Sequence, residues 1–219
     1  MSDYTRLGGT AATFDEMIRR FGVVTVMNAD IYDYKGTLEG KSVSEFISGL
    51  GNKICHLDTL KIANVTEEGP TKTVTGGRYS NPLIKFGKSA RLEMQDALGN
   101  IEAVDALCGG ISEYSAASAS ATARVYTGLH FGEDYNGPKT IVGDSFFIDQ
   151  KTGQQVKVKI VFYQFLPDSI FNLTQDAEGD ATVFDMNGDL LTTEVKIPNA
   201  GGTLEAHGLF YSILPVVAE

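Results

Sequence analysis

The sequence predicts a mainly β chain of the α+β kind, built as a β-sandwich or partial barrel with one or two short helices. Two stretches carry that expectation. Val156, Lys157, Val158, Lys159 and Ile160 alternate apolar with cationic side chains, the period-two mark of a strand with one face buried. The run then turns continuously apolar through Phe165, as a strand covered on both faces would, and Pro167 and Asp168 break it. The segment that follows, to Leu190, is again β-rich and carries an acidic edge of Asp176, Glu178, Asp180, Asp185 and Asp189.

The remaining elements follow in order. Residues 1–12, rich in Gly and Thr, read as a flexible N-terminal arm, and residues 13–219 as a single β-rich domain. Thr13 and Glu16 have capping-box spacing, which predicts a short helix with Phe14, Met17, Ile18 and Phe21 on one face and Gly22 as its stop. A strand begins at Val23 and runs toward Tyr34. Residues 35–51 are loop-like through four glycines, with one helical turn available at Val43, Phe46 and Ile47. Residues 53–65 return to a strand pattern, but Ile54, Leu57, Leu60 and Ile62 do not alternate, so a bulge or bend is expected. Short strands are expected at 71–75 and 82–86.

Arg91, Glu93 and Gln95 alternate with Leu92 and Met94, which predicts a strand; residues 101–108 then form a short helix stopped by Gly109 and Gly110. Residues 115–123 are a Ser/Ala tract, read as a mobile loop or a closely packed strand start. Strands at 124–131 and 140–149 flank a Gly/Asn/Pro loop, and residues 150–153 have hairpin-turn chemistry leading into the central run. Two last strands are expected at 193–197 and 208–214.

The bulk numbers exclude several classes. Hydrophobic residues make 42% and charged residues 21%, too apolar for a disordered chain. No apolar run is long enough to span a membrane, and the first residues lack the apolar core of a secretory signal. Of the net charge of −10, −8 falls after residue 162, where nine acids face Lys196 alone. A field of that sign disfavours tight binding to nucleic acid through its phosphates, yet it suits a surface past which DNA slides; solubility alone is the plainer reading. Cys55 and Cys108 are too few for a disulfide framework and read as buried reduced thiols.

No catalytic, cofactor or metal site is expected. Gly87, Lys88 and Ser89 look like the end of a phosphate-binding loop, but Pro82 stands where its first glycine belongs. An EF-hand loop started at Asp176 would need glycine at its sixth position, where Ala181 stands, so a solvated strand edge is the simpler account. His56, His130 and His207 lack the paired spacing of a structural zinc site, and Cys55 and His56 would point to opposite faces of a strand. Enzyme chemistry is therefore unsupported.

Two blocks point further. Residues 74–99 (VTGGRYSNPLIKFGKSARLEMQDALG), and the central hairpin with its Phe165–Asp168 turn, the 173–190 segment and the Asn187, Gly188, Asp189 end, resemble in order and spacing the tail tube (major tail) proteins of tailed bacteriophages that infect Gram-positive hosts. The resemblance spans roughly residues 50–197. It implies a virion structural protein made in the host cytoplasm, with a β-sandwich that assembles into stacked hexameric rings around a β-barrel lumen for DNA ejection. The implied partners are further copies of the chain, the baseplate or tip, the terminator, the tape measure and, in contractile tails, a sheath; DNA passes without specific binding. Asp176, Glu178, Asp180, Asp185 and Asp189 then become the candidate lumen-facing acids. Residues 35–51 and the N-terminal arm are the candidates for ring-to-ring locking. Alternatives are another ring-forming virion protein, such as a terminator or connector, and a ligand- or metal-binding β-domain that uses residues 176–189.

Overall fold

The computed structural model describes residues 3–6, 9–13, 21–58, 60–69, 71–76, 79–85, 87–96, 101–114, 126–131, 137–149, 155–168 and 184–216. The described chain is mainly β, with antiparallel sheets and two short α-helices. In chain order the first strands are β1 (Asp3–Arg6), β2 (Gly9–Thr13), β3 (Phe21–Asp33), β4 (Cys55–Leu57), β5 (Leu60–Glu68), β6 (Thr71–Gly76), β7 (Tyr79–Lys85) and β8 (Ser89–Asp96). Then come β9 (Gly110–Tyr114), β10 (Tyr126–Phe131), β11 (Lys139–Asp149), β12 (Gln155–Pro167), β13 (Phe184–Leu191), β14 (Thr193–Pro198), β15 (Leu204–Leu209) and β16 (Tyr211–Pro215). The helices are α1 (Val43–Gly49) and α2 (Ile101–Cys108).

The main sheet runs β4-β3-β11-β12-β13-β8-β5, with β16 also paired to β12. Strand β12 is its spine. One edge pairs with β11 from Gln155 to Phe165. The other is shared, since β16 pairs with Val158–Phe162 and β13 with Gln164–Pro167.

The burial of β12 follows the expected pattern: alternating at its start, then buried on both sides from Ile160 to Tyr163. A bulge explains how. Ile141 lies opposite Phe162 and Lys139 opposite Phe165, so β12 carries one extra residue there. Thr140 Oγ1 donates to the Tyr163 carbonyl at 2.8 Å, which satisfies the backbone at the irregularity. Ile160, Phe162 and Phe165 consequently fill one core with Leu92, Met186 and Leu190, closed by Val104 and Leu107 of α2. Val161 and Tyr163 fill a second core with Val142, under Phe46 and Leu50 of the α1 segment and Val195 of β14.

Helix α1 lies in the stretch expected to be loop-like. Ser42 and Glu45 cap it reciprocally: the Ser42 amide donates to Glu45 Oε2 at 3.0 Å and Ser42 Oγ accepts from the Glu45 amide. Phe46 meets the Tyr163 ring edge-on at 5.0 Å between centroids. Helix α2 matches its expected span, and Gly109 at φ +70° ends it in the left-handed conformation.

The bend expected in residues 53–65 is there. Strand β4 pairs with β3 at one end of the sheet, and β5, beginning at Leu60, pairs with β8 at the other, with an irregular register between Leu60 and Ile62. The two sheet edges are thus successive pieces of one segment, and β5 lies against β3, so the sheet curls into a partial barrel.

Three expectations change. Thr13 ends β2 and Phe21 and Gly22 open β3, paired with Asp149 and Ile148, so the ends of the expected N-terminal helix belong to strands; residues 14–20 lie outside the described residues. Much of the arm forms the β1–β2 hairpin. The single strand expected at 208–214 is two strands divided at Phe210, and β15 extends back to Leu204 to pair with β14. The Ser/Ala tract, 115–123, lies outside the described residues.

Gly188 sits where β13 crosses Pro167 at the end of β12. A Cβ there would lie 2.7 Å from the Phe165 ring and 2.8 Å from Pro167 Cα, closer than real side chains approach. Gly188→Val is expected to destabilise by about 1–3 kcal/mol through overpacking. Phe46→Ala is expected to cost about 3–5 kcal/mol by emptying the second core. Urea unfolding of both variants checks these values; a midpoint unchanged for Gly188→Val would mean that the strands separate there at little cost.

Candidate functional site

Strands β8 and β13 present one apolar and one polar face, while the described β5 residues 64–68 are exposed on both. Leu92, Met94, Met186 and Leu190 point into the first core. The alternate residues form cross-strand rows on the other face: Thr66, Arg91 and Asp189; Asn64, Glu93 and Asn187; and Gln95 beside Asp185. A groove of about 300 Å³ opens here, lined by Thr66, Glu68, Ser89, Arg91, Glu93 and Asp189 among others.

Arg91 organises this face. Its guanidinium pairs with Asp168, which follows the end of β12, and with Asp189 of β13 at 3.2 Å; Glu93 lies at 4.0 Å. Asp168 is held in place because its amide donates to the Asn187 carbonyl at 2.9 Å. The Asp168 carboxylate raises the guanidinium pKa above its ordinary value, Asp189 adds to this, and desolvation only partly opposes it. The arginine stays charged at all working pH values. The cluster therefore ties β8, β13 and the end of β12 together through side chains, with Nη1 and Nη2 of Arg91 donating to carboxylates.

Of the acids singled out in the sequence, Asp185 and Asp189 share this face. Asp185 is exposed and accepts from Gln95 Nε2 at 2.9 Å; Asp189 is the partner of Arg91. Asp176, Glu178 and Asp180 lie outside the described residues. The sequence reading missed Arg91 and Asp168 as partners. The alternation of Arg91, Glu93 and Gln95 gave the strand, but which residue stands across the ladder depends on register, and Asp168 counted only as a strand breaker and one of the acids after residue 162.

Elsewhere the described residues offer little reactive chemistry. Among the described residues, no three His, Cys, Asp or Glu side chains converge as metal ligands. Cys55 is buried, and burial pushes the Cys108 thiol up to about 11, so it stays protonated and unreactive near neutral pH. Compared with known proteins, the chain matches no protein-family model and no curated protein sequence.

A second charged cluster lies on β3 and β4. Asp30 Oδ1 faces His56 Nδ1 at 2.5 Å and Lys53 Nζ at 3.0 Å, and His56 is the cross-strand partner of Asp30. Burial alone would raise the Asp30 pKa, but hydrogen bonds from His56 and Lys53 outweigh it and hold the carboxyl below its ordinary 3.8. A carboxylate depressed in the folded state stabilises the fold above its unfolded pKa and loses that contribution as pH falls through the folded value. Lowering the pH from about 5 to about 3 should therefore reduce the urea midpoint of the native chain more than that of Asp30→Asn. Parallel losses in the two proteins would show that the pair does not contribute.

Proposed function

We propose that this chain is a tail tube subunit of a tailed bacteriophage, a structural protein that assembles into stacked rings around a conduit for DNA. The observation that carries the reading is the two-sided character of the β8–β13 pair, which β5 edges. One face is packed into the core, and the other is polar, with Asp168, Asp189, Glu93 and Glu68 around Arg91 and Asp185 further along β13 opposite Gln95. A wet lumen past which DNA slides requires such a surface, because unpaired Lys and Arg would hold phosphates. The curled antiparallel sheet and the resemblance of residues 74–99 and of the central hairpin point the same way.

For contacts between rings the fold favours a different segment from the one the sequence singled out. Residues 35–51 are folded down onto the sheet through Phe46 and Leu50. Among the described residues, β6 and β7 form a ladder only with each other, as a hairpin that extends the β5–β8 pair. That hairpin is the better candidate for reaching a neighbouring subunit, since among the described residues neither of its strands pairs with the main sheet.

A ligand-binding reading would centre on the groove beside Arg91. Asp168 already takes the Nη1–Nη2 fork that an anionic ligand would use, so assembly is preferred. A terminator or connector would form one ring and stop.

Negative-stain microscopy of the concentrated full chain should show hollow tubes. Single rings would move the protein to the terminator class, and persistent monomers would remove the assembly reading. Replacing residues 71–85 by a short turn should leave a folded protein that does not elongate; tubes of normal length would exclude the hairpin from the contact. Asp185→Lys should change stability by no more than about 0.5 kcal/mol, as exposed substitutions do. It should also make purified tubes retain added DNA, whereas no retention would place this face outside the lumen.

A further inference from the structure

We propose that Asp168 and Asp189 act as a shield for Arg91, occupying its guanidinium so that the polar face cannot grip the phosphates of a passing nucleic acid. The inference deepens the conduit reading and rests on it for its purpose. Its physical basis is the geometry of the cluster.

Arg91 stands at the centre of the face, flanked by Thr66 on β5 and Asp189 on β13. Its side chain is 40% exposed, so a free guanidinium there would be open to a polyanion. An arginine fork matches phosphate and carboxylate equally well in shape and charge. Here carboxylates reach it from two places, the turn after β12 and β13: the Asp168 oxygens accept from Nη1 and Nη2, and Asp189 Oδ1 accepts from Nη1. A phosphate would have to displace two anions that the fold already holds close. Asp168 is fixed by its amide bond to the Asn187 carbonyl, and Asp189 by its place directly across from Arg91 in the ladder.

Exposed ion pairs of this kind contribute little to stability. The positions that hold both acids against one cation therefore matter more for what the cation is kept from doing than for the fold. Without the shield, Arg91 would supply one phosphate contact per subunit, about tenfold in affinity at about 0.1 M salt relative to 1 M.

The test is binding of a short fluorescent DNA duplex to the full chain, read by anisotropy from about 50 to about 200 mM salt. The native chain should show no saturable binding. Asp168→Asn with Asp189→Asn should bind saturably, about 3.5-fold more weakly at about 200 mM than at about 50 mM, the log–log slope near −0.9 of one phosphate contact. Adding Arg91→Gln to that pair should abolish the gain. Glu194→Gln with Glu205→Gln, which removes the same two charges from the β14–β15 hairpin, should not bind.

A gain that survives Arg91→Gln, or that appears equally in the hairpin control, would make it a matter of net charge and overturn the shield. No gain in the double variant would overturn it as well. Should the double variant unfold, Asp189→Asn alone decides, because that carboxylate is 61% exposed and Asp168 still holds the strands together. Microscopy on the same samples keeps the two readings apart. Tubes without the Arg91-dependent gain remove the shield, and the gain in a protein that forms no tubes keeps the shield and removes the conduit.

Discussion

Tyr163 and Phe165 sit two residues apart on one strand yet fill opposite cores, because the bulge beside Thr140 places an extra residue between the regular ladders. On an unbroken strand they would share a face. The bulge lets one strand serve two packed layers at once: α2 and the curled sheet on one side, α1 and the β14–β15 hairpin on the other. The burial of α1, the position of Val195 and the division of the β12 edge between β13 and β16 all follow from it. At the boundary the Tyr163 amide donates to the Phe210 carbonyl, so even the gap between the two partner strands leaves no orphaned donor.

The charged clusters obey a different logic. Exposed pairs such as Lys88–Glu67 and Arg91–Asp189 each contribute modestly, since water screens them and long side chains lose freedom in forming them. Such groups earn their place by register and by what they exclude. Asp30 against His56 and Asp189 against Arg91 are both direct cross-strand partners, so each disfavours a slipped pairing that would set it against a different residue. Opposite charges across a ladder thus specify alignment at small energetic cost.

Much of this was legible in the sequence, and the reason differs from element to element. The central hairpin was clear because alternation and a continuous apolar run are local signals, and α2 because its length and glycine stop are local as well. Helix α1 was only half visible: Ser42 and Glu45 form a sound cap, but four glycines masked it, and its burial depends on Tyr163, more than a hundred residues away. The N-terminal helix failed at both ends because Thr13 is held by its pairing with Asp3 in the β1–β2 hairpin, and Phe21 and Gly22 by ten pairs between β3 and β11. For the polar face, the sequence supplied Asp185 and Asp189 but could not supply Arg91 as a partner, since register between β8 and β13 is a long-range property.

The bend between β4 and β5 also bears on how the chain reaches its native state. These strands are neighbours in sequence, yet they close opposite ends of a sheet whose other members come from residues up to Pro215. The seam can be completed only after several distant pairings have formed, and each must bear its loop-closure entropy before the contact rewards it. Until then, the outer edges of β3 and β8 stand open as templates for another chain. Speed of collapse, and not only final stability, therefore governs how much of this protein escapes misassociation while it is being made.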